Sequence, residues 1–255
     1  MPTRPNTPFI PTFRSEETSR RRSRRAAAHD QSEGFPWKRT LDVGVTLAAL
    51  PVVALLICVF GLWVKMVSKG PAFFKQQRIG RNGRVFTLYK LRSMEEWAPA
   101  APHRDHVRRL VESRCPMTKL DSAGDSRFIR GGRFLRSSCL DELPQLFNVL
   151  AGEMSLVGPR PCLPYEYRFY SGRQRRRFDA RPGLTGYWQV AGRNRVNFRR
   201  MAAMDLYYAR NTSLWLDLAI LSRTPAAVSR QMLSDLHRHA DRKPAAPIVA
   251  MTADA

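Results

Sequence analysis

An apolar run without a single charged side chain extends from Val43 to Val64. A helix of this length reaches across the hydrocarbon core of a bilayer, and a buried helix of a soluble protein is rarely so long without a charge. The sequence therefore predicts a membrane-inserted helix. Within the run, Pro51 removes one helical hydrogen bond and favours a kink or a break at that point.

The charges on either side of the run conflict with a simple transmembrane span. Lys38 and Arg39 precede the run, and Lys65 and Lys69 follow it. Positive charge marks the cytoplasmic side of membrane helices, and here it marks both ends. A helix that breaks at Pro51 and returns to the same face removes the conflict. We therefore favour this re-entrant form, with a true span as the alternative.

The whole chain is strongly basic, with 43 Lys and Arg against 21 Asp and Glu and a formal charge of +22. Such a balance suits nucleic acid, an anionic membrane surface or phosphorylated substrates. Residues 1–35 are predicted to form a disordered basic tail, and beside a membrane segment its arginines favour anionic lipids over nucleic acid. The four cysteines show no CxxC spacing and are interpreted as reduced thiols.

Four segments follow from these patterns. They are the tail 1–35, a membrane-inserted helix at 36–68, one cytoplasmic domain at 69–235 and a second disordered tail at 236–255. Asn82-Gly83 between two strand-like runs predicts a β-hairpin. The remaining pattern is rich in helix, which predicts a mixed α/β fold. An aromatic and aliphatic surface between Tyr207 and Leu221 predicts an interfacial amphipathic helix, with a core-facing helix as the alternative.

Two adjacent carboxylates, Asp141 and Glu142, stand before an apolar, helix-like run. Several arginines lie on both sides of this pair, at Arg127, Arg130, Arg133, Arg136 and Arg160. This concentration of cations suits a phosphate-rich substrate and keeps a carboxylate ionised, able to attack or to bind metal. The alternative is helix capping, in which Ser138 and Asp141 form a capping box.

Other cations are candidates for the same site. Lys90 and Arg92 share one face at the end of a predicted strand, where a phosphate site and a solvated strand end are equally good interpretations. Arg160 lies between two prolines, so a stiff loop presents its guanidinium, which favours anion binding.

The sequence resembles a known family, the bacterial sugar transferases that prime exopolysaccharide and related glycan synthesis, also called monotopic polyprenyl-phosphate phosphoglycosyl transferases. The resemblance covers roughly residues 36 to 232. Leu91 and Cys139 depart from it, standing where Phe and Ser are commoner, and residues 95–124 show no clear family pattern. Its motifs occur in order as Lys38-Arg39-x-x-Asp42, Gly70-Pro71 through Phe86, Tyr89 to Met94, Leu140 to Leu146, Met154 to Pro161, Arg181 to Gly186 and Ser213 to Asp217.

The resemblance implies a transferase of the bacterial inner membrane with its catalytic domain on the cytoplasmic face. Such an enzyme moves a sugar 1-phosphate, here expected to carry a hexose, from a UDP-sugar to undecaprenyl phosphate and releases UMP. By position, Asp141 matches the nucleophile and Glu142 its neighbour at the Mg²⁺ site. Arg136 and Arg160 match arginines that hold substrate phosphate, and Lys90 and Arg92 are assigned to the same substrate.

Two other classes of function stay open at this stage. A non-catalytic scaffold of a glycan assembly complex and a basic, membrane-tethered regulator that binds nucleic acid both agree with the charge. The regulator leaves the carboxylate pair among arginines unexplained, so nucleic acid is not expected as a partner. A homo-oligomer is compatible with the sequence, and no residue pattern identifies the sugar.

Overall fold

The computed structural model describes residues 36–95, 101–112, 127–192 and 196–240. The predicted tail at 1–35 and most of the tail at 236–255 lie outside these ranges. The longer elements are helix α1 (Pro36–Val67), strands β1 (Phe73–Ile79) and β2 (Val85–Leu91), and helices α2 (Ala101–Glu112) and α3 (Gly132–Ser137). They continue as α4 (Gln145–Leu150), β3 (Ser155–Val157), α5 (Pro164–Phe169), α6 (Gly172–Arg175), β4 (Gly183–Thr185), α7 (Tyr187–Ala191), α8 (Phe198–Arg210) and α9 (Leu214–Ala240). The predicted mixed, helix-rich α/β class is confirmed.

Helix α1 is long and apolar enough to cross a membrane. It has 32 residues and continues through Pro51, so the predicted break in the helix is absent, and a return to the same membrane face stays a prediction. One stripe of the helix is buried against the rest of the chain, at Asp42, Thr46, Val53, Ile57, Gly61 and Val64. These positions recur at intervals of three, four and seven residues, which places them on one helical face. The opposite face exposes apolar side chains such as Val52, Leu55 and Leu62, each 64–65% exposed.

Both ends of α1 contact the domain that follows it. Near the start, Lys38 forms an ion pair with Asp217 of α9 at 2.5 Å. Near the end, Val64 packs in an apolar cluster with Ile129 and Leu135. Between these ends, Val53 and Ile57 belong to the main core of the domain, so α1 lies along the domain as part of its packed structure.

The predicted hairpin is present. Strands β1 and β2 pair antiparallel in a register that opposes Arg78 to Phe86 and Phe74 to Lys90. The connection contains Asn82 and Gly83, both at positive φ, at 60° and 77°. Asn and Gly tolerate this left-handed backbone better than other residues, which is why the dipeptide turns the chain here.

A second pairing fixes the middle of the domain. Strand β3 pairs with β4 in parallel, with Ser155 opposite Gly183 and Val157 opposite Thr185. Just after β3 the chain approaches β4 so closely that a Cβ atom added to Gly158 would meet the Arg181 carbonyl oxygen at 2.2 Å. Only glycine permits this approach, and it brings the segment Pro159-Arg160-Pro161 against the start of β4.

The predicted interfacial segment is divided between two helices, because Tyr207 and Tyr208 lie in α8 while α9 begins at Leu214. Helix α9 extends past the domain boundary predicted at residue 235. Its first turns expose Trp215, which is 80% exposed, while Ile220 lies in the core. The helix therefore has one buried and one exposed apolar face. That the exposed face meets a membrane stays a prediction.

Candidate active site

The carboxylate pair lies in a single tight turn. Residues Leu140–Glu142 form a 3₁₀ turn between α3 and α4, and the preceding Cys139 adopts a left-handed backbone with φ 59°. The side chain of Asp141 is buried, with the residue 2% exposed, whereas the Glu142 side chain is 27% exposed. A buried carboxylate is costly unless its surroundings stabilise the charge.

The capping interpretation is not supported by the observed caps. The Ser138 hydroxyl donates to the carbonyl oxygens of Phe134 and Leu135, at the C-terminal end of α3. Helix α4 begins at Gln145 with Pro144 as its N-cap, and no side chain caps it. The alternative of a capping box between Ser138 and Asp141 is therefore not supported.

Lys90 directly contacts Glu142 of the pair. It lies near the end of β2, and its Nζ donates to Glu142 Oε1 at 2.9 Å. The two side chains are 17% and 27% exposed, so the contact is partly shielded from water. The sequence left Lys90 between a phosphate site and a solvated strand end, and the structure places it at the carboxylate pair.

The surrounding cations keep Glu142 ionised. Burial favours the neutral carboxyl, but Lys90, Arg160 and Arg136 outweigh it and lower the pKa of Glu142 to about 2. Arg136 comes from the last turn of α3, and Arg160 from the loop after β3. The structure thus assembles three of the predicted cations around one carboxylate from three separate elements.

Arg92 makes its contacts elsewhere. Its two Nη atoms donate to the carbonyl oxygens of Lys69 and Ser68, just after the end of α1, and the residue is 3% exposed. These bonds satisfy carbonyl groups that follow the helix, which gives Arg92 a structural contact. Its assignment to the substrate stays a prediction without support from these contacts.

Sequence reasoning missed Arg78. This residue of β1 is 9% exposed, and its charge acts on the same surroundings as Arg160 and Glu142. Burial lowers the pKa of Arg78, yet arginine stays protonated in proteins. The register of the hairpin indicates that Arg78 faces the interior, because it places Arg78 opposite the buried Phe86 and cross-strand partners share one face.

The donor set at this turn suits Mg²⁺ only together with other ligands. In the described part of the chain, no group of three or more His, Cys, Asp or Glu residues could hold a metal ion. Mg²⁺ is commonly bound by one or two carboxylates, with substrate phosphates and water completing the octahedron. An ionised, partly exposed Glu142 beside Asp141 fits that pattern.

The sequence profile of the bacterial sugar transferases matches residues 33–231. The chain belongs to this family. The match includes α1, the turn that carries Asp141 and Glu142, and the loop Pro159-Arg160-Pro161, which is called the Arg160 loop below. The candidate site therefore lies wholly within the region that the family profile matches. The predicted resemblance is confirmed.

Named relatives of this sugar transferase come from several bacteria. It is 38% identical over 201 residues to the undecaprenyl-phosphate galactose phosphotransferase of Salmonella typhimurium, covering 76% of this chain and 40% of that protein. It is 40% identical over 195 residues to the UDP-glucose:undecaprenyl-phosphate glucose-1-phosphate transferase of Caulobacter vibrioides, covering 73% and 67%. It is 38% identical over 199 residues to the exopolysaccharide production protein ExoY of Rhizobium meliloti, covering 75% and 84%. The sugar transferase thus spans about 40% of its Salmonella relative.

Proposed function

We propose that this sugar transferase moves a sugar 1-phosphate from a UDP-sugar to undecaprenyl phosphate and releases UMP. This would be the priming step of exopolysaccharide or related glycan synthesis. The observation that carries the proposal is the ionised Glu142 beside the buried Asp141, within reach of charges on Lys90, Arg136 and Arg160. The names of the Salmonella and Caulobacter relatives support the lipid acceptor, and the sugars in those names are the hexoses galactose and glucose.

The reaction proceeds in two displacements at one phosphorus. A carboxylate oxygen of Asp141 attacks the phosphorus that bears the sugar, the bond to the bridging oxygen breaks, and UMP leaves with that electron pair. A phosphate oxygen of the lipid then attacks the same phosphorus. This second step releases the Asp141 carboxylate and forms an undecaprenyl diphosphate-linked sugar. UMP, the water-soluble product of the first step, thus leaves before the lipid reacts.

The cations explain how a carboxylate approaches a phosphate. Both groups are anionic, so their repulsion must be offset before attack. Arg136 and Arg160 would bind the donor phosphates, and Lys90 holds Glu142 in place through its 2.9 Å contact. Mg²⁺, held by Glu142, would neutralise further phosphate charge when bound.

The packing of α1 favours an enzyme that enters the membrane from one side. The Lys38 end and the Val64 end both contact the same domain, and the face between them presents apolar side chains outward. We propose that α1 inserts from the cytoplasmic face of the inner membrane and, bending at Pro51 without a break in the helix, returns to it. Anionic lipids would attract the basic residues at both ends.

Cysteine labelling tests this topology. In a cysteine-free background, Thr40→Cys before the run and Lys69→Cys after it are both expected to resist a membrane-impermeant maleimide in intact cells. Both should react after the inner membrane is permeabilised, which is the control for accessibility. Labelling of only one position in intact cells would establish a true span and leave the catalytic proposal standing.

The reaction itself is tested by giving purified protein in detergent a panel of UDP-sugars with undecaprenyl phosphate. UMP should appear with at least one sugar. Without the lipid, a donor labelled in its sugar should label the protein, and adding the lipid should discharge the label. No UMP with any sugar would favour the scaffold, and tight binding of nucleic acid in its place would favour the regulator.

Lys90 provides a pH-dependent prediction. Because Lys90 helps to keep the pKa of Glu142 near 2, Lys90→Met is expected to raise that pKa by about one unit or more. A carboxylate with a depressed pKa stays charged at any pH above that pKa. It loses the charge as the pH falls through the pKa. The acid limb of UMP release should therefore move to higher pH in Lys90→Met. Lys75→Met, on the partner strand of the hairpin, is the matched control and should leave the acid limb unchanged.

A further inference from the structure

A buried ion pair lies beneath the Arg160 loop. Arg177 belongs to the 3₁₀ turn Arg176–Asp179, and its Nη1 donates to Asp205 Oδ2 of α8 at 3.0 Å. The two side chains are 2% and 1% exposed. The rings of Tyr170 and Phe178 lie 5.1 and 4.6 Å from the guanidinium carbon, so Arg177 is enclosed by aromatic surface.

Stability alone is a weak explanation for this pair. Removing two charges from water costs free energy that their attraction often fails to recover, and apolar residues of similar volume serve as well. Burial raises the pKa of Asp205 to about 7, although Arg177 opposes the rise. What the pair provides that apolar residues would not is a set of directed contacts.

Those contacts reach the backbone of Arg160. The second nitrogen of the fork, Arg177 Nη2, donates to the Arg160 carbonyl oxygen at 3.4 Å. The Arg160 backbone also lowers the pKa of the Asp205 carboxyl, which places the two groups close together. A planar guanidinium with two directed nitrogens can serve both partners at once.

The neighbouring positions of the loop are held in other ways. The Pro159 carbonyl accepts from the Gly183 N–H at 2.9 Å, and the Cys162 carbonyl accepts from the Ile79 N–H at 2.8 Å. Pro159 and Pro161 lack an N–H of their own. The backbone of Arg160 is thus held by buried side chains, while its own side chain is exposed and acts on Glu142.

We propose that Arg177 and Asp205 are positioning residues, a buried pair that holds the Arg160 backbone so that its guanidinium meets the donor phosphates. Both side chains are buried, so they would act through Arg160 and not by touching the substrate. The proposal rests on the proposed function in one respect, since it takes Arg160 to bind the phosphate of a nucleotide. A tilt of the loop would move the tip of the Arg160 side chain by more than the backbone itself moves.

A double-mutant cycle on nucleotide binding tests this role. UMP binding is measured by titration calorimetry in detergent at about pH 8, where Asp205 is ionised in view of its raised pKa. Arg160→Lys and Arg177→Lys are each expected to weaken UMP binding about tenfold. The double variant should bind UMP less than about threefold more weakly than the weaker-binding of the two single variants. Arg176→Lys is the matched control, because its side chain is 52% exposed, and it should bind UMP like the wild type.

Asp205→Asn provides a second route if Arg177→Lys does not fold. The change keeps the shape of the side chain, removes the charge, and should also weaken UMP binding about tenfold without adding to Arg160→Lys. Multiplicative effects in either cycle would overturn the proposal. The proposal would also be overturned if a variant at Arg177 or Asp205 had a lowered thermal midpoint but normal UMP affinity, or if the wild type did not bind UMP. Failure of the proposed catalytic function is seen separately, as a wild type that binds UMP but releases none from any UDP-sugar.

Discussion

Asp141→Asn is expected to fold, to reach the membrane and to release almost no UMP. The side-chain amide of Asn cannot form the acyl phosphate that a carboxylate forms, so the first displacement stops. The substitution changes the shape of the side chain very little. We therefore expect a loss of turnover of at least about 10³-fold, with the thermal midpoint close to that of the wild type.

The observed caps make this prediction discriminating. Asn caps a helix about as well as Asp, so a capping residue would tolerate the change. Helix α4 has no side-chain cap, and Ser138 bonds to the end of α3. The remaining structural explanation is that Asp141 stabilises its turn, in which case Asp141→Asn would lower the thermal midpoint and keep turnover per folded molecule.

Two further measurements sharpen the result. The Asp141→Asn protein should take no label from a sugar-labelled donor in the absence of lipid, whereas the wild type should. Glu142→Gln should lose activity by another route, through weaker Mg²⁺ binding, so added Mg²⁺ should restore part of its turnover. Substantial turnover by Asp141→Asn would show that the nucleophile lies elsewhere.

Features encoded by neighbouring residues were predictable from the sequence. The uncharged run gave a helix because its period and length are local properties, and Asn82-Gly83 gave a hairpin because two residues set the turn. The carboxylate pair was identifiable because both members and their flanking arginines lie close along the chain. Lys90 was predicted only as one of two equal alternatives.

Features that depend on distant packing were not predictable. Lys90 and Arg92 share a period-two face, but β2 ends at Leu91, and the chain beyond it carries Arg92 to the end of α1. Arg177 is one of three consecutive arginines, and only the packing of α8 decides which of them is buried. Such choices depend on contacts between residues far apart in the sequence, which local patterns do not encode.

Lys38→Met is expected to cause a large loss of stability. Lys38 Nζ lies 2.5 Å from Asp217 Oδ2 and also donates to the carbonyl of Val157 at 3.1 Å. The Tyr208 hydroxyl lies 2.7 Å from the other oxygen of Asp217. Asp217 is 1% exposed, so removing the lysine leaves a carboxylate buried without its cation, which typically costs about 3–5 kcal/mol.

The pH dependence and a second substitution separate this effect from a loss of apolar packing. Burial raises the pKa of Asp217, and Lys38 opposes the rise, so the variant should have a still higher pKa. Because the pKa of this carboxyl is raised in the folded state, the folded protein is most stable while the carboxyl is protonated. That stability is lost as the pH rises through the folded-state pKa. Thermal unfolding in detergent should therefore show that the thermal midpoint of Lys38→Met falls further below that of the wild type as the pH rises from acidic to alkaline.

Adding Asp217→Asn to Lys38→Met should recover part of the lost thermal midpoint. Lys65 is an exposed lysine at the other end of α1, so Lys65→Met should change the midpoint little. A deficit that is independent of pH and unchanged by Asp217→Asn would mean that Lys38 acts through its aliphatic contacts and not as the cation that fastens α1 to the domain.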